Sequence, residues 1–327
     1  MSYLKQLQNG LNTLLQDNDV YLLGEDIVEP YGGSFKVSKG LSLEFPKQII
    51  STPMSEQGFT GMGIGMALAG LKVIVEIMFG DFITLCADQM INHASKFVGL
   101  YDKKLHFVLR TPMGGYRGYG GTHSQSLEKL FMGYPDIWVI SPSVLHNPGD
   151  LLIKSLNFGK PILFVENKLD YTKNMLVETK ASEDHYIELS NSEFPLIKTT
   201  MKDEFEANYV IVTYGGLVSE VISLQEELYL EDEISVHIVS PSQLFPVDNN
   251  LINLISDYKH IILLEESYTG ASWSSEIAAT LAERKGHSSI YRFSSQLKTI
   301  AAAENMENSI LPNVNNIANL IQRMENE

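Results

Sequence analysis

This sequence predicts an α/β protein of two domains, each a mostly parallel sheet covered by helices. Three observations support that reading. The 327 residues suffice for two separate hydrophobic cores. Runs such as LKVIVEIMF, HFVLRTP and PILFVEN are continuously apolar rather than alternating, as strands buried on both faces are. Helical patterns separate these runs, which is the layout of parallel strands joined by crossovers.

The elements follow in order. Apolar residues recur at helical spacing from Ser2 to Gln16, ahead of the strand VYLLGED. A helix beginning near Ser55 leads to the strand Leu71 to Phe79. DFITLCADQMINHASKFVGL reads as one helix, HFVLRTP as a strand, and a glycine-rich loop comes next. A helix from Ser126, the strand IWVISPS, a helix near Pro148 to Leu156 and the strand PILFVEN complete the first half. From Asp170 to about Thr200 the pattern lapses into polar sequence, read as the connection between domains. The boundary is placed between residues 1–185 and 186–327. The second half alternates again: strand NYVIVTYGG, helix SEVISLQEELYL, strand SVHIVSPSQLFP, helix NNLINLISDY, strand HIILLEES, helix SSEIAATLAERKG and strand SIYRF.

Composition narrows the function. With 44% apolar and 20% charged residues the chain is globular. No apolar run reaches the roughly 18 residues that span a bilayer. The N-terminus lacks a signal-peptide layout, and the lone Cys86 excludes an internal disulfide, so the expected location is cytoplasmic. A net charge of -16 argues against nucleic acid. About three-quarters of that excess follows Met201, either as a solvated face or as a dock for something basic.

The stretch STPMSEQGFTGMGIGMALAG places one acid, Glu56, before an uncharged and unusually thin helix. GMGIGMALAG does not directly follow a strand and lacks the acidic partner of a dinucleotide fingerprint, and no GxxxxGK[ST] occurs. The glycines suit close approach of another backbone or subunit. On position alone, Glu56 is either a carboxylate favoured by the helix N-terminus or a buried acid placed to exchange a proton with a ring nitrogen. Those readings shift its pKa in opposite directions. His123, in GGYRGYGGTHSQS, is either a surface histidine or a proton donor in a functional loop. Asp88 and Gln89 read as a satisfied polar pair or as positioning groups. The histidines and cysteine never fall into a metal-ligand spacing.

In order, LLGEDI, YGGSFKVSKGL, STPMSEQGFTGMGIGMALAG, VEIMFGDFITLCADQMINHASKF, RTPMGGYRGYGGTHSQS and PILFVENK resemble the beta subunit of the thiamine-diphosphate-dependent 2-oxoacid dehydrogenases. The similarity is dense from Leu22 to Asn167 and continues through FPVDNNLI, LLEESYTGASWSSEIAAT and ILPNV. It implies a thiamine-diphosphate pyrimidine-binding domain followed by a transketolase C-terminal-like domain, with the cofactor between two subunits. Glu56 matches the acid that hydrogen-bonds the aminopyrimidine and so promotes loss of the thiazolium proton. Phe82 matches the aromatic residue beside that ring, and Met54 and Gln57, which flank Glu56 in the same segment, are expected to bind the cofactor with it. Glu25 matches an acid proposed to relay protons between active sites. His123 matches the histidine facing substrate and the lipoyl group.

The resemblance also implies partners: an alpha subunit, a second beta subunit in a two-plus-two heterotetramer, and a lipoyl acyltransferase core. The GDG…NN pattern that holds diphosphate and Mg2+ is absent; the lone GD pairs, Gly80-Asp81 and Gly149-Asp150, lead to no NN pair, so that site is expected in the alpha subunit. Before PILFVEN the loop SLNFGKP lacks the aspartate that relatives use, which leaves structural potassium doubtful. Gly80 in the FADF-type motif and IAAAEN near the C-terminus also depart from the pattern, and mark a divergent member. The expected activity is decarboxylation of a 2-oxoacid and acyl transfer to lipoamide. The alternatives are an acetoin dehydrogenase beta subunit, the C-terminal half of a split transketolase, or a non-catalytic scaffold that has kept the fold.

Overall fold

Residues 1–176, 185–202, 206–284, 286 and 288–326 are described by a computed structural model. Helix α1 (Tyr3–Leu15) starts where the Ser2 hydroxyl accepts from the Lys5 amide at 3.3 Å, and it buries Tyr3, Leu7, Leu11 and Leu14 along one face. Strands β1 (Val20–Gly24), β2 (Ile49–Ser51), β3 (Lys72–Glu76), β4 (Phe107–Met113), β5 (Trp138–Ile140) and β6 (Ile162–Asn167) run parallel in one sheet. Between them lie α2 (Leu41–Glu44), α3 (Glu56–Leu68), α4 (Ser95–Tyr101) and α5 (Pro148–Asn157). Asn147 caps α5 by accepting from the Gly149 and Asp150 amides, and Pro148 occupies a position whose missing N–H costs nothing.

The second half contributes β7 (His185–Leu189), β8 (Leu196–Met201), β9 (Tyr209–Val212), β10 (Val236–Pro241), β11 (Gln243–Phe245), β12 (His260–Tyr268) and β13 (Ser289–Ser295). Helices α6 (Leu217–Asp232), α7 (Asn249–Ile255), α8 (Trp273–Glu283), α9 (Glu304–Ile310) and α10 (Asn315–Glu325) accompany them. The strand orders are β11-β5-β6-β4-β3-β1-β2 and β13-β12-β9-β10-β8-β7, so both layers are mostly parallel, as expected.

Four details differ from the sequence reading. SVHIVSPSQLFP is not one strand: β10 stays in the second sheet while β11 crosses over and pairs antiparallel with β5 of the first. The Ser242 carbonyl, accepting from the Ser141 amide at 2.7 Å, begins that crossing. The polar connection contains the antiparallel hairpin β7–β8, and its residues 177–184 lie outside the described residues. The edge strand β7 exposes Tyr186, Glu188 and Leu189, which is why its composition resembles a loop. The single helix expected after Phe79 is a 3₁₀ segment (Gly80–Cys86), a π segment (Gln89–Ala94) and then α4, an irregularity common near functional sites. The helix from Ser126 is one 3₁₀ turn, Glu128–Phe131.

One core continues from the first sheet into the second, joining Leu23, Val75 and Leu109 to Val212, Leu263 and Trp273. Helices α1 and α5 cover the opposite face of the first sheet, where Leu11 and Leu152 meet Ile74 and Phe164. Beneath the loops at the strand ends lies a buried ion cluster. Arg110 donates to Glu76 and, from Nε at 2.8 Å, to Glu166; the Tyr171 hydroxyl donates to Glu166 at 2.6 Å. It clamps β3, β4 and β6 together. Removing one partner from such a cluster costs about 3–5 kcal/mol, because the remaining charge stays buried.

Candidate active site

The neighbours of β1 are β2 on one side and β3 on the other, so the chain leaves it in opposite directions. In an open parallel sheet such a switch point leaves a crevice at the carboxyl ends of the strands, where ligands bind. Glu25 follows β1 there, Thr52 to Glu56 follow β2, and Phe79 to Phe82 follow β3. The loop ending at His123 follows β4, and Lys168 follows β6.

At one end of the crevice Glu56 is the first residue of α3. Ser55 makes no side-chain cap, so the first amides of that helix favour a carboxylate. Glu56 is half-buried. Its carbonyl lies 3.9 Å from the Cys86 thiol, which in turn lies 4.0 Å from the Phe82 carbonyl and accepts from the Thr60 hydroxyl at 3.3 Å. Burial pushes that thiol up to about 12, so Cys86 is an inert spacer rather than a nucleophile. Burial also raises the Glu25 carboxyl, and the Glu56 and Asp26 charges raise it further. Glu25 Oε1, Thr52 Oγ1 and Gln89 Oε1 are buried without a hydrogen-bond partner. Each such group costs about 1–3 kcal/mol when left unpaired. Here they are hydrogen-bonding capacity that the described residues leave unused, at the carboxyl ends of the strands.

The thin helix is explained by its two faces. Inward, Gly63 packs on β3; a Cβ there would lie 2.8 Å from Val75 Cγ2. Outward, Gly58 and Gly65 are exposed, together with Gln57, Met62 and Met54, the last 84% exposed. Met54 and Gln57 therefore stand on the outer rim, not inside the crevice with Glu56. Asp88 is exposed and accepts from Gln89 Nε2 at 3.2 Å, whereas Gln89 itself is buried.

At the other end, His123 meets Phe79 edge-on at 4.7 Å and Phe82 at 5.4 Å, both with planes 80° apart. Its Nδ1 lies 3.0 Å from the Thr122 hydroxyl. The preceding loop is glycine-rich because it needs left-handed backbone at Gly114, Tyr116, Gly118 and Gly120. The second half of the chain holds it down. Glu266, at the end of β12, accepts from the Gly115 amide and, at 3.1 Å, from Asn167. Glu307 of α9 accepts from the Gly118 amide at 2.9 Å, and the Tyr116 hydroxyl donates to the Pro312 carbonyl at 2.5 Å. Asp81 accepts from Gln125 at 2.8 Å. Lys168 Nζ donates to the His123 carbonyl at 2.5 Å.

The structure thus brings Glu25, Glu56, Phe82 and His123 to one edge of one sheet. Sequence reasoning missed Asp81, Lys168, Glu266 and Glu307. A signal existed for two of them: charged residues closing fully apolar runs, ENK after PILFV and EES after HIILL. Among the described residues no group of three or more His, Cys, Asp or Glu could hold a metal ion. Among them, too, no helix is long and apolar enough to cross a membrane.

Residues 1–173 match the family described as transketolase, pyrimidine binding domain, and residues 198–317 match transketolase, C-terminal domain. The chain is 31% identical to the 2-oxoisovalerate dehydrogenase subunit beta of Bacillus subtilis, over 86% of this chain and 84% of that protein. It is 29% identical to the mitochondrial pyruvate dehydrogenase E1 component subunit beta of Saccharomyces cerevisiae, over 82% and 72%. It is 30% identical to the acetoin:2,6-dichlorophenolindophenol oxidoreductase subunit beta of Bacillus subtilis, over 82% and 80%. A solved split-gene transketolase, an inactive beta4 tetramer, superimposes with a TM-score of 0.71 at 14% identity, over 99% of this chain and 97% of that one, a likeness of fold.

Proposed function

The chain belongs to the family of 2-oxoacid dehydrogenase E1 beta subunits built from the two transketolase domains, and from that premise we propose that it forms half of a thiamine-diphosphate site that decarboxylates a 2-oxoacid. The domains divide at about residue 185 (1–185 and 186–327), where β7 opens the second sheet, with β11 returned to the first. One observation carries the reading most: Glu25 and Glu56, whose charges repel, lie at the same carboxyl-end edge of the first sheet as Phe82 and His123, which are in ring contact.

The unpartnered atoms of Glu25, Thr52 and Gln89 fit a polar heterocycle, and the ring of Phe82 fits its flat face. Bound thiamine diphosphate supplies a nucleophilic carbon for the keto group and a sink for the electrons released with carbon dioxide. Glu56 would hold the pyrimidine ring by a hydrogen bond to a ring nitrogen and share a proton with it. Glu25, whose carboxyl is raised by burial and by the Glu56 charge, passes a proton along the crevice. Met54 and Gln57 meet the partner that closes the site and excludes water. His123 steadies developing charge and moves a proton as the acyl group passes to a lipoyl acceptor. An alpha subunit with the GDG…NN pattern supplies the diphosphate and Mg2+ site. A second beta subunit and a lipoyl acyltransferase core complete the assembly, with the acidic second half suited to a basic segment of that core. The loop before β6 lacks the aspartate that relatives use for potassium, and its Lys160 pairs with Asp136 ahead of β5, so that ion is not expected here.

The test is turnover of pyruvate and branched-chain 2-oxoacids by this chain mixed with its alpha subunit, thiamine diphosphate and Mg2+. Carbon dioxide release that needs both chains supports the reading; none with any 2-oxoacid refutes it. The 30% identity to an acetoin oxidoreductase beta subunit supports a second reading, acetoin cleavage, and the same mixture supplied with acetoin decides between them.

A further inference from the structure

We propose that Lys168 is a positioning residue for His123, its buried ammonium tying the glycine-rich loop to the end of β6 and holding the imidazole in the crevice. The proposal rests on the acyl-transfer role given to His123 above.

Lys168 is 0% exposed, one residue past Asn167 at the carboxyl end of β6. Its Nζ donates to the His123 carbonyl at 2.5 Å. The same atom lies 5.4 Å from the centre of Phe79 and 5.6 Å from that of Tyr119. Phe79 is the ring against which His123 leans at 4.7 Å. One cation therefore grips both the backbone of His123 and the aromatic wall beside its side chain. Left-handed positions deny the loop a regular hydrogen-bond ladder, so a charge-assisted bond is among its stronger anchors.

A buried ammonium is costly unless it is paired, and among the described residues no carboxylate lies within salt-bridge distance of this one. The charged groups facing it are Asp81 from the 3₁₀ segment, Glu266 from β12, Glu307 from α9 and Arg117 from the loop itself. Burial pulls its pKa down to about 8, with Arg117 adding to that fall and the three acids opposing it. Below about pH 8 the tie is charged and firm. Above it the bond loses its charge assistance, the acids lose their counter-charge, and the loop, held then by its remaining bonds to Glu266, Glu307 and Pro312, loosens around His123.

The test uses the chain assembled with its alpha subunit, comparing wild type, Lys168→Arg and Lys168→Met from about pH 6.5 to about pH 9.5. Wild-type acyl transfer to a lipoyl domain should fall up to roughly tenfold per unit above about pH 8, while decarboxylation with an artificial oxidant persists. Lys168→Arg should keep transfer and lose that alkaline fall. Lys168→Met should lose transfer at least about tenfold at every pH, with thiamine-diphosphate affinity unchanged. Trypsin cleavage after the exposed Arg117 reads release of the loop without any turnover. It should quicken in Lys168→Met and, above about pH 8, in the wild type relative to Lys168→Arg. Equal cleavage in all three proteins, or wild-type transfer that stays flat to about pH 9.5, overturns the proposal. A wild-type assembly that turns over no substrate refutes the functional reading instead, and the cleavage result still decides the tie.

Discussion

The two ends of the crevice are built differently. Around Glu56 the chain leaves polar atoms of Glu25, Thr52 and Gln89 unpartnered and exposes Met54 just ahead of α3 and Met62 and Gly65 on its outer face. Around His123 it closes its own site: Glu266, Glu307 and Pro312 from the second half grip the loop amides and Tyr116, and Lys168 anchors His123 itself. Buried polar atoms without partners occur at both ends, Asp81 Oδ2, Ser124 Oγ and Glu307 Oε1 among them at the second, so what separates the ends is the exposed outer surface of the first and the clamp from the second half of the chain on the other. Substitutions at the open end should therefore impair cofactor chemistry and assembly while leaving the isolated chain stable. Substitutions at the closed end should register in the chain's own stability and in acyl transfer.

The largest expected effect is at the open end. Glu56→Gln removes the shared proton and should lower decarboxylation by roughly 10²–10⁴-fold, measured by carbon dioxide release in the assembled enzyme, with assembly intact. Next comes the foundation of both ends. Arg110→Met leaves Glu76 and Glu166 buried without their counter-charge and should cost about 3–5 kcal/mol in denaturant unfolding. Met54→Asp puts a charge on the exposed rim and should weaken association with the alpha subunit by roughly tenfold or more, about 1.4 kcal/mol, while the isolated chain melts unchanged. An equal loss of melting temperature would instead make Met54 part of this chain's own packing.

The smallest effect concerns a cost of closing the second end. Asp170 is buried, neither carboxyl oxygen has a hydrogen-bond partner, and Lys173 lies 3.8 Å away. Burial pushes its carboxyl up to about 7. A folded pKa above the unfolded one means the folded chain binds more protons in between, so this group lowers stability as pH rises from about 4 to about 7. Asp170→Asn should therefore match wild type near pH 4 and exceed it by about 1 kcal/mol or more near pH 8, by chemical denaturation at both pH values.

The amino-acid sequence reveals the open end better than the closed one, for a physical reason. Glu56, Phe82 and their neighbours lie in contiguous segments, so local pattern and resemblance find them. The clamp on His123 depends on residues far away in the chain, Glu266 and Glu307, brought over only when both sheets pack on a shared core. Local periodicity carries no record of that meeting. The same limit explains β11: three residues that look like the tail of β10 belong to the other sheet because of a pairing partner about a hundred positions earlier. The parallel layers themselves were legible, since strands buried on both faces read as near-continuous apolar runs, as Phe107–Leu109 of β4 and Ile162–Val165 of β6 do.

The central claim is that Glu56 activates a coenzyme held jointly with another chain. The most direct measurement is hydrogen–deuterium exchange at the acidic thiazolium carbon of thiamine diphosphate, followed by quenched NMR. The account predicts fast exchange when this chain and its alpha subunit are mixed, and slow exchange, near that of free coenzyme, with either chain alone or with Glu56→Gln in the mixture. Equally fast exchange in the Glu56→Gln mixture, or in this chain by itself, contradicts it.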